Sequence, residues 1–490
     1  MHLTISTFDL VVIGVYLVCV VLLGMWTGRG NRNLSDYLLG SRDLPWWALL
    51  GSIVATETST ATFLSVPGLT YAAGGDMRFL QLAGGYILGR MLVARLLLPA
   101  YFSGEMFTAY EVLRRRFGIV AQRLTSALFL VARNVGDGLR LFLTALALEA
   151  ATGLSLTNCV LVISVITVFY TLVGGMKSVV WNDCLQLLVY LVGGAVTLWL
   201  LAGGVPGGWD QLREFGVEQH KFRLLDFSWD VSDPLTFWAG LFGGAFLSLG
   251  THGADQMIVQ RLLSARSQRE AGRALIVSGV VVLLQFALFL MIGIGLAAFF
   301  TEHPPSAAIA KGDAAYAEYI VRHMPAGLAG LVLAAVFAAA MSTLSSSLNS
   351  SAATLVSDFS SSADGSAADS RRRLTRSRAF TVLFGVIQAG LAIVAAGFSQ
   401  SVVMDALAIA GFTAGVMLGV FGLGLFTRRT GQGAAVTGML AGLFVVGLVK
   451  FQTTIAWPWY PVIGSVTTFA AGWSCGWVMP RAVNDTYDVQ

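Results

Sequence analysis

Long apolar blocks alternate with short polar breaks along almost the whole chain. Each block is close to the roughly 20 residues that a helix needs to cross a hydrocarbon core of about 30 Å. Blocks such as 274–299 have almost no polar face, which excludes helices of a water-soluble domain. About thirteen such blocks, numbered here as spans 0 to 12, predict an all-α polytopic membrane protein. They lie near residues 8–28, 46–70, 78–101, 123–152, 155–174, 180–203, 234–258, 271–300, 327–356, 379–398, 402–427, 433–451 and 458–479.

The amino-acid composition is also typical of a protein that lies within a lipid bilayer. Of 490 residues, 56% are hydrophobic and 12% are charged, and that charged share is about half of what an ordinary globular domain carries. The net charge of +4 comes from short arginine runs between apolar blocks, so no nucleic-acid partner is expected. The first block lacks a basic leader and a cleavage site, which predicts a retained span.

Positive charge predicts the orientation. Cytoplasmic loops collect Lys and Arg, and here alternate loops do so. These loops follow spans 0, 2, 4, 6, 8, 10 and 12, and they include Arg29, Arg114, Lys177, Arg261, Arg371, Arg428 and Arg481. An odd number of spans then places the N-terminus outside and the C-terminus in the cytoplasm.

Span 1 has a polar run where a lipid-exposed helix tolerates none. The run is Thr56, Glu57, Thr58, Ser59, Thr60, Ala61 and Thr62, with Pro67 and Gly68 after it. A broken helix explains the run, because freed backbone carbonyls at membrane depth line ion or substrate cavities. The alternative is that the hydroxyls fold back onto their own helix and serve packing. Glu57 favours the break, since a carboxyl group there needs a partner.

Span 6 repeats the pattern with Gly250, Thr251, His252, Gly253, Ala254, Asp255 and Gln256. Corresponding breaks in two halves of a transporter indicate a substrate site between inverted repeats. His252 is interpreted either as a proton relay or as a structural hydrogen-bonding group. Asp255 and Gln256 lie near the predicted cytoplasmic end, where a solvated helix cap is an equal interpretation.

Span 8 carries hydroxyl side chains at Ser342, Thr343, Ser345, Ser346 and Ser347. Hydroxyl and carbonyl oxygens are the ligands that hard cations prefer, so this pattern favours sodium. Small residues that allow close helix contact are the alternative.

Span 3 places Arg133, Asp137 and Arg140 on one helical face, because their spacing is four and then three residues. Two guanidinium groups and one carboxylate leave an excess cation, which predicts an anionic group on the solute, such as a carboxylate. The alternative is an internal ion-pair ladder between spans.

A motif at 170–186 resembles the signature of the sodium:solute symporter family, YTxxGGxxAVxWTDxxQ. Ser178 and Asn182 depart from it, where alanine and threonine are usual. The resemblance implies a LeuT-type fold, with five-span inverted repeats at 46–204 and 234–427 and a cytoplasmic linker at 357–378. The segments 1–45 and 428–490 are then peripheral, and 205–233 is an external loop. The ion-site pattern is most similar to that of the family's sialic acid transporters.

The resemblance also implies ion sites. The main sodium site would use backbone carbonyls of Ala55, Thr58 and Ala339 and the hydroxyls of Ser342 and Thr343. A second sodium site, present in some members, would use Asp183, Ser345 and Ser346.

The implied substrate positions are Glu57, Ser59, Thr60, Thr62, Gln81, Ser248 and Thr251. Sugar carriers of the family have an aromatic residue where Thr251 stands, which argues against a sugar. In the sialic acid carriers an arginine of span 3 holds the carboxylate, and Arg133 and Arg140 flank that position.

The chain is therefore predicted to import a small organic solute, anionic or zwitterionic, by sodium-coupled alternating access in a bacterial cytoplasmic membrane. A carboxylate-bearing solute is favoured over a neutral or zwitterionic amino acid, sugar or vitamin. Sodium is the expected coupled ion, and no enzymatic chemistry is expected. A passive channel and a membrane sensor or enzyme are the alternatives from other classes.

Overall fold

A computed structural model describes residues 6–29, 33–104, 106–304, 312–359, 367–398 and 400–479. Across these ranges the regular structure is helical, and the one β-type contact is an isolated bridge between Leu44 and Ala265. The all-α prediction is therefore confirmed for the part of the chain that is described.

The first half contains nine α-helices. They are α1 Thr7–Thr27, α2 Leu34–Leu39, α3 Trp46–Glu57, α4 Thr60–Tyr71, α5 Leu80–Leu96, α6 Leu98–Tyr101, α7 Glu111–Phe117, α8 Ile119–Thr152 and α9 Leu156–Gly204. The second half continues with α10 Gly208–Glu218, α11 Gly244–Gly253, α12 Gln256–Leu263, α13 Gln268–Glu302, α14 Gly312–Arg322, α15 Leu328–Phe359, α16 Ala367–Ala395, α17 Gln400–Phe426, α18 Gln432–Gln452 and α19 Trp459–Val478. Every apolar block of the sequence falls on one or two of these helices.

Six helical segments among the described residues are long and apolar enough to cross a bilayer. They are Thr7–Thr27, Leu156–Gly204, Gln268–Glu302, Leu328–Phe359, Arg371–Ala395 and Gln432–Gln452. A bent pair formed by α3 and α4 brings the number to seven when it counts as one span. The chain is an integral membrane protein.

Helix α9 contains spans 4 and 5. A straight helix of 49 residues would extend about 74 Å, more than twice the hydrocarbon thickness. Gly175 ends the straight course, with φ 57° and ψ −149°, a conformation that side chains other than glycine disfavour. The chain therefore turns back at the boundary that the polar break predicted.

Span 1 is broken, as predicted. Helix α3 ends at Glu57 and α4 begins at Thr60, with Thr58 in an extended conformation and Ser59 as the N-cap of α4. The two segments differ in direction by 63°. The last carbonyls of α3 are thus released from helical pairing inside the protein.

Span 6 is broken as well. Helix α11 ends at Gly253, Ala254 and Asp255 leave the helical conformation, and α12 runs on to Leu263. The span therefore ends about five residues later than the sequence indicated.

Helix α15 lies at the centre of the bundle. Most of its described residues are buried, and it packs against α9, α8, α16 and α1.

The close approach of α13 to α4 depends on glycine. At Gly293 of α13 an added Cβ would lie 1.9 Å from the Pro67 carbonyl oxygen of α4.

Both ends of the predicted cytoplasmic linker at 357–378 are helical. Residues from Ala367 onward belong to α16, and α15 continues to Phe359. Arginine is a good helix former, so the basic residues 371–378 extend the helix instead of interrupting it. The remaining part of the linker, 360–366, lies outside the described residues.

The segment after α9 is attached to the end of span 1. Lys221 Nζ donates to the carbonyl oxygens of Thr70 at 2.6 Å and Ala72 at 3.1 Å, where the C-terminus of α4 favours a cation. Arg78 forms ion pairs with Asp76, Asp226 and Asp233. These contacts hold the segment 205–233 against the start of α5.

Candidate functional site

A buried carboxylate lies where the two broken spans meet the central helix. Asp183 Oδ2 accepts from Ser52 Oγ of α3 at 2.5 Å and from Arg261 Nη2 of α12 at 3.0 Å. Its Oδ1 accepts from Ser342 Oγ of α15 at 2.6 Å. Asp183 thus links four helices through one side chain.

Arg261 is the cation of this cluster, and its prediction as a loop arginine is wrong. Its side chain is 1% exposed, because α12 continues span 6 inward. The guanidinium also donates to Ser52 Oγ at 2.7 Å, to the Met257 carbonyl at 2.6 Å and to Ser346 Oγ. A buried charge needs this degree of pairing.

The positions expected for the main sodium site lie beside the break in span 1. Thr343 Oγ1 is 3.4 Å from the Thr56 carbonyl oxygen and 3.3 Å from the Ala339 carbonyl oxygen. Ala55, Thr58 and Ala339 are all buried, on the two backbone segments that face each other here. Ser342 belongs to the same set, but its hydroxyl is turned to Asp183.

The positions expected for a second sodium site are only partly assembled. Ser346 lies next to Asp183, since Thr56 Oγ1 is 3.0 Å from Ser346 Oγ and 3.4 Å from Asp183 Oδ2. Ser345 Oγ donates to the Ser342 carbonyl at 3.1 Å. The Arg261 guanidinium donates to Asp183 and Ser346, two of the three residues expected to bind this sodium ion.

Glu57 has an arginine partner that the sequence reading did not single out. It forms an ion pair with Arg90 of α5, and Arg90 Nη1 also donates to Ser278 Oγ of α13 at 2.5 Å. His252 Nε2 of α11 lies 3.6 Å from Glu57 Oε2. The Arg90 side chain is fully buried, whereas that of Glu57 is 18% exposed. Arg90 is thus the partner that the Glu57 carboxylate needed.

The small hydroxyl residues of span 1 divide between two roles. Ser59 caps α4, because its Oγ accepts from Thr62 N at 3.3 Å and lies 3.2 Å from Thr62 Oγ1. Thr60 Oγ1 donates to the Val336 carbonyl of α15 at 3.2 Å. Thr60 therefore fixes the break to the central helix.

Gln81, Ser248 and Thr251 all have protein partners. Gln81 Nε2 donates to the carbonyls of Arg78 and Leu235, and its Oε1 accepts from Asp226 N. Ser248 Oγ donates to the Tyr86 carbonyl at 3.2 Å. Thr251 Oγ1 donates to the Leu247 carbonyl and lies 2.9 Å from His252 Nδ1.

Arg133, Asp137 and Arg140 share one face of α8, as the spacing predicted. Arg140 Nη1 donates to Asp137 Oδ1 at 2.6 Å, and Arg133 Nη1 lies 3.6 Å from the same oxygen. Arg133 also pairs with Asp255, which is buried and caps α12.

The predicted excess of positive charge in this cluster is wrong, because Asp255 supplies a second carboxylate. The two arginines nevertheless differ in access. The side chain of Arg140 is 41% exposed and that of Arg133 is 14% exposed. Arg140 is therefore the more exposed of the two guanidinium groups.

Two residues of the site were missed, although each had a signal. Arg90 is a charge inside the apolar block of span 2, and an intramembrane charge marks a functional position by default. Arg261 follows Asp255 within two helical turns, which suits a continuing helix better than a loop.

Comparisons with known proteins relate the chain to sodium-coupled transporters. The model of the sodium:solute symporter family matches residues 37–442. The chain is 29% identical over 465 residues to the sodium/sialic acid symporter SiaT of Proteus mirabilis, covering 93% of this chain and 92% of that protein. It is 30% identical over 479 residues to the sodium/sialic acid symporter NanT of Aliivibrio fischeri, covering 96% and 92%.

Among solved structures, the fold is similar to that of a Na⁺-coupled sialic acid symporter in a substrate-bound, outward-open state. The TM-score is 0.89 at 27% sequence identity, and the match covers 97% of this chain and 99% of that one.

Proposed function

Because the chain belongs to the sodium:solute symporter family, we propose that the small organic solute it carries with sodium is an acidic sugar of the sialic acid class. Two relatives and one solved structure of that substrate class match over almost the whole chain. The protein is a sodium-coupled symporter in the membrane, and its relatives are transporters.

The observation that carries this proposal is the accessible guanidinium of Arg140. Its face of α8 is turned toward the interior, since Arg133 on that face reaches α12 and Asp137 is buried. A charged side chain is costly in contact with lipid, so we infer that the exposed guanidinium of Arg140 faces an aqueous path. Planar paired donors suit a carboxylate. We assign the solute carboxylate to Arg140.

The charge of Glu57 disfavours a zwitterion. Arg90 already neutralises this carboxylate, so an ammonium group would have to compete with a buried guanidinium. The exposed part of Glu57 remains available as an acceptor for hydroxyl or amide groups. Thr251 does not argue against an acidic sugar, because recognition through a carboxylate needs no aromatic residue at that position.

We propose the main sodium site at the carbonyls of Ala55, Thr58 and Ala339 and the hydroxyls of Ser342 and Thr343. The released carbonyls at the end of α3 carry the negative end of a helix dipole, which favours a cation. Thr343 Oγ1 already lies 3.3 Å from the Ala339 carbonyl oxygen of this set and 3.4 Å from the carbonyl oxygen of Thr56, next to Ala55. All of these ligands are hard oxygens.

A second sodium at Asp183, Ser345 and Ser346 requires Arg261 to yield part of its hold on Asp183 and Ser346. Both cations seek the same oxygens, so their occupancies are coupled. Ser342 belongs to the main site and its hydroxyl donates to Asp183 of the second site, so a hydrogen bond connects the two sodium positions.

We propose that transport proceeds by alternating access, with sodium binding first. Helix α12 is held to α8 by Arg133 and Asp255, to α9 by Asp183 and Arg261, and to α15 by Gln260 Nε2 and Asn349 Oδ1 at 3.2 Å. Release of these contacts would open the predicted cytoplasmic side. We propose this motion together with a topology of thirteen spans, in which the N-terminus is outside and the inverted repeats lie at 46–204 and 234–427.

The direct test is a thermal-shift screen of small carboxylates with and without sodium. A ligand stabilises the folded state by its binding free energy, so coupled binding raises the melting temperature most when both are present. We expect sialic acid to stabilise the protein in sodium and not in potassium. A larger shift with a zwitterionic amino acid would contradict the assignment.

A further inference from the structure

An apolar groove lies on the membrane-facing surface, and its described lining includes none of the proposed solute or sodium residues. Helices α5, α11, α17 and α19 form a cavity of about 290 Å³. Its walls include Leu97, Phe246, Leu249, Leu418, Phe426 and Phe469. Phe426 is 65% exposed and Val466 at the rim is 54% exposed, so the groove opens toward the space that lipid chains occupy.

This groove does not suit the acidic solute. Ser465 is the polar side chain of the described lining, and its hydroxyl donates back to the Val462 carbonyl at 3.1 Å. A carboxylate placed here would lose its hydration without gaining a partner. A hydrocarbon chain forms no hydrogen bonds with water, so it would not have this desolvation cost.

Arginines stand at the C-terminal ends of α5 and α17, two of the helices that line the groove. Arg95 directly precedes the lining residues Leu96 and Leu97, and Arg428 and Arg429 follow Phe426 by two and three residues. All three arginines are exposed. Arginine side chains at the end of a span extend to the headgroup level.

The turn after α17 is fixed in place. Arg116 donates to the Thr427 carbonyl at 2.6 Å and to the Thr430 carbonyl at 3.3 Å. The Arg429 guanidinium lies 4.7 Å from the centre of the Trp477 ring on α19. Trp side chains of this kind prefer the interface between membrane and water. This contact places Arg429 at the depth of the phosphate groups.

We propose that the groove binds one acyl chain of an anionic phospholipid whose phosphate lies on Arg95, Arg428 and Arg429. Basic pockets between spans at the cytoplasmic side recognise anionic headgroups in this way. The apolar walls explain the acyl chain, and the charge at one end explains the preference for an anionic headgroup.

The position of the groove gives the lipid a route to influence transport. Helices α5 and α11 carry Arg90 and His252 of the site, whereas α17 and α19 lie on the other side of the groove. A bound acyl chain would therefore resist relative motion of these two pairs.

The test compares phosphatidylglycerol with phosphatidylcholine of the same acyl chains, added to the delipidated, detergent-solubilised protein. We expect phosphatidylglycerol to raise the melting temperature more than phosphatidylcholine does. Gly422→Leu fills the groove, since its new Cβ would make ordinary contact with Phe469 at 3.5 Å, and this variant should lose the difference. Gly411→Leu on the same helix has open space around it and is the matched control, which should keep the difference.

Arginine variants provide an independent arm that leaves the groove intact. Arg428→Gln and Arg429→Gln should weaken the apparent affinity for phosphatidylglycerol about fivefold for each arginine removed. Equal stabilisation of the unmutated protein by the two lipids would overturn the proposal. A full phosphatidylglycerol response in Gly422→Leu, Arg428→Gln and Arg429→Gln would overturn it as well. None of these measurements needs sodium or solute, so their outcome is independent of the proposed substrate.

Discussion

Arg261 Nη2 lies 3.0 Å from Asp183 Oδ2, with both side chains buried where α3, α9, α12 and α15 meet. Arg261 belongs to the inner half of broken span 6, and Asp183 belongs to the second half of α9. The pair therefore joins α12, which we propose moves in alternating access, to the helix that carries the expected second sodium ligand.

Asp183→Asn should reduce both stability and sodium response. Removing one partner of a buried ion pair leaves an uncompensated charge, which costs about 3–5 kcal/mol. If a second sodium binds here, the variant also loses that ion. We expect a lower melting temperature and a Hill coefficient for sodium that falls toward one in uptake measurements.

The double variant Asp183→Asn with Arg261→Met separates the two effects. Removing both charges should recover stability relative to the single variant. If Asp183 binds sodium, the Hill coefficient stays low. A fully restored sodium response in the double variant would mean that Asp183 serves only as the partner of Arg261.

Thr343→Val should weaken sodium binding at the main site while keeping the shape of the side chain. Loss of one oxygen that contacts a charged group costs about 1.5–3 kcal/mol, which corresponds to a tenfold or larger increase in the half-saturating sodium concentration. Thr343→Ser retains the hydroxyl and should stay close to the unmutated protein. Equal behaviour of the two variants would exclude the hydroxyl as a ligand.

The helical bundle was predictable from the sequence because lipid leaves little choice of secondary structure. An apolar block of sufficient length must form a helix there, and polar runs at Glu57 and at Asp255 mark places where it breaks. The turn at Gly175 also falls where the polar break predicted it.

The pairing of charges was not predictable, since it depends on which helices become neighbours. Spacing along α8 correctly placed Arg133 and Arg140 on one face, but the second carboxylate comes from Asp255, more than a hundred residues later in the chain. Arg90 and Glu57 likewise meet only when α5 packs beside the break. Local periodicity gives the face of a helix and does not give its partner.

Arg140→Lys should reduce solute affinity without a matching loss of stability. Lysine keeps the charge but loses the paired planar donors that suit a carboxylate. We expect the half-saturating solute concentration to rise roughly tenfold. Arg133→Lys is the control on the same face, and it should mainly lower the melting temperature because Arg133 pairs with Asp255. If only Arg133→Lys changed solute affinity, the assignment to Arg140 would be wrong.

Glu57→Gln should destabilise the protein, because it leaves the fully buried Arg90 without its counter-charge. The melting temperature should fall clearly. The double variant Glu57→Gln with Arg90→Met also removes the arginine charge, so it should recover part of the lost melting temperature. A different outcome, unchanged stability with abolished transport, would indicate that Glu57 holds an ammonium group of the solute.

The central claim is sodium-coupled transport of an acidic sugar, and uptake by proteoliposomes tests it most directly. Purified protein is reconstituted, and labelled sialic acid is supplied outside with either an inward sodium gradient or an equal potassium gradient. We predict saturable uptake that requires sodium and that unlabelled sialic acid inhibits more strongly than a neutral sugar does. Uptake that neither saturates nor responds to sodium would indicate a passive channel. Sodium-driven uptake of a neutral solute, without uptake of sialic acid, would contradict the assigned substrate.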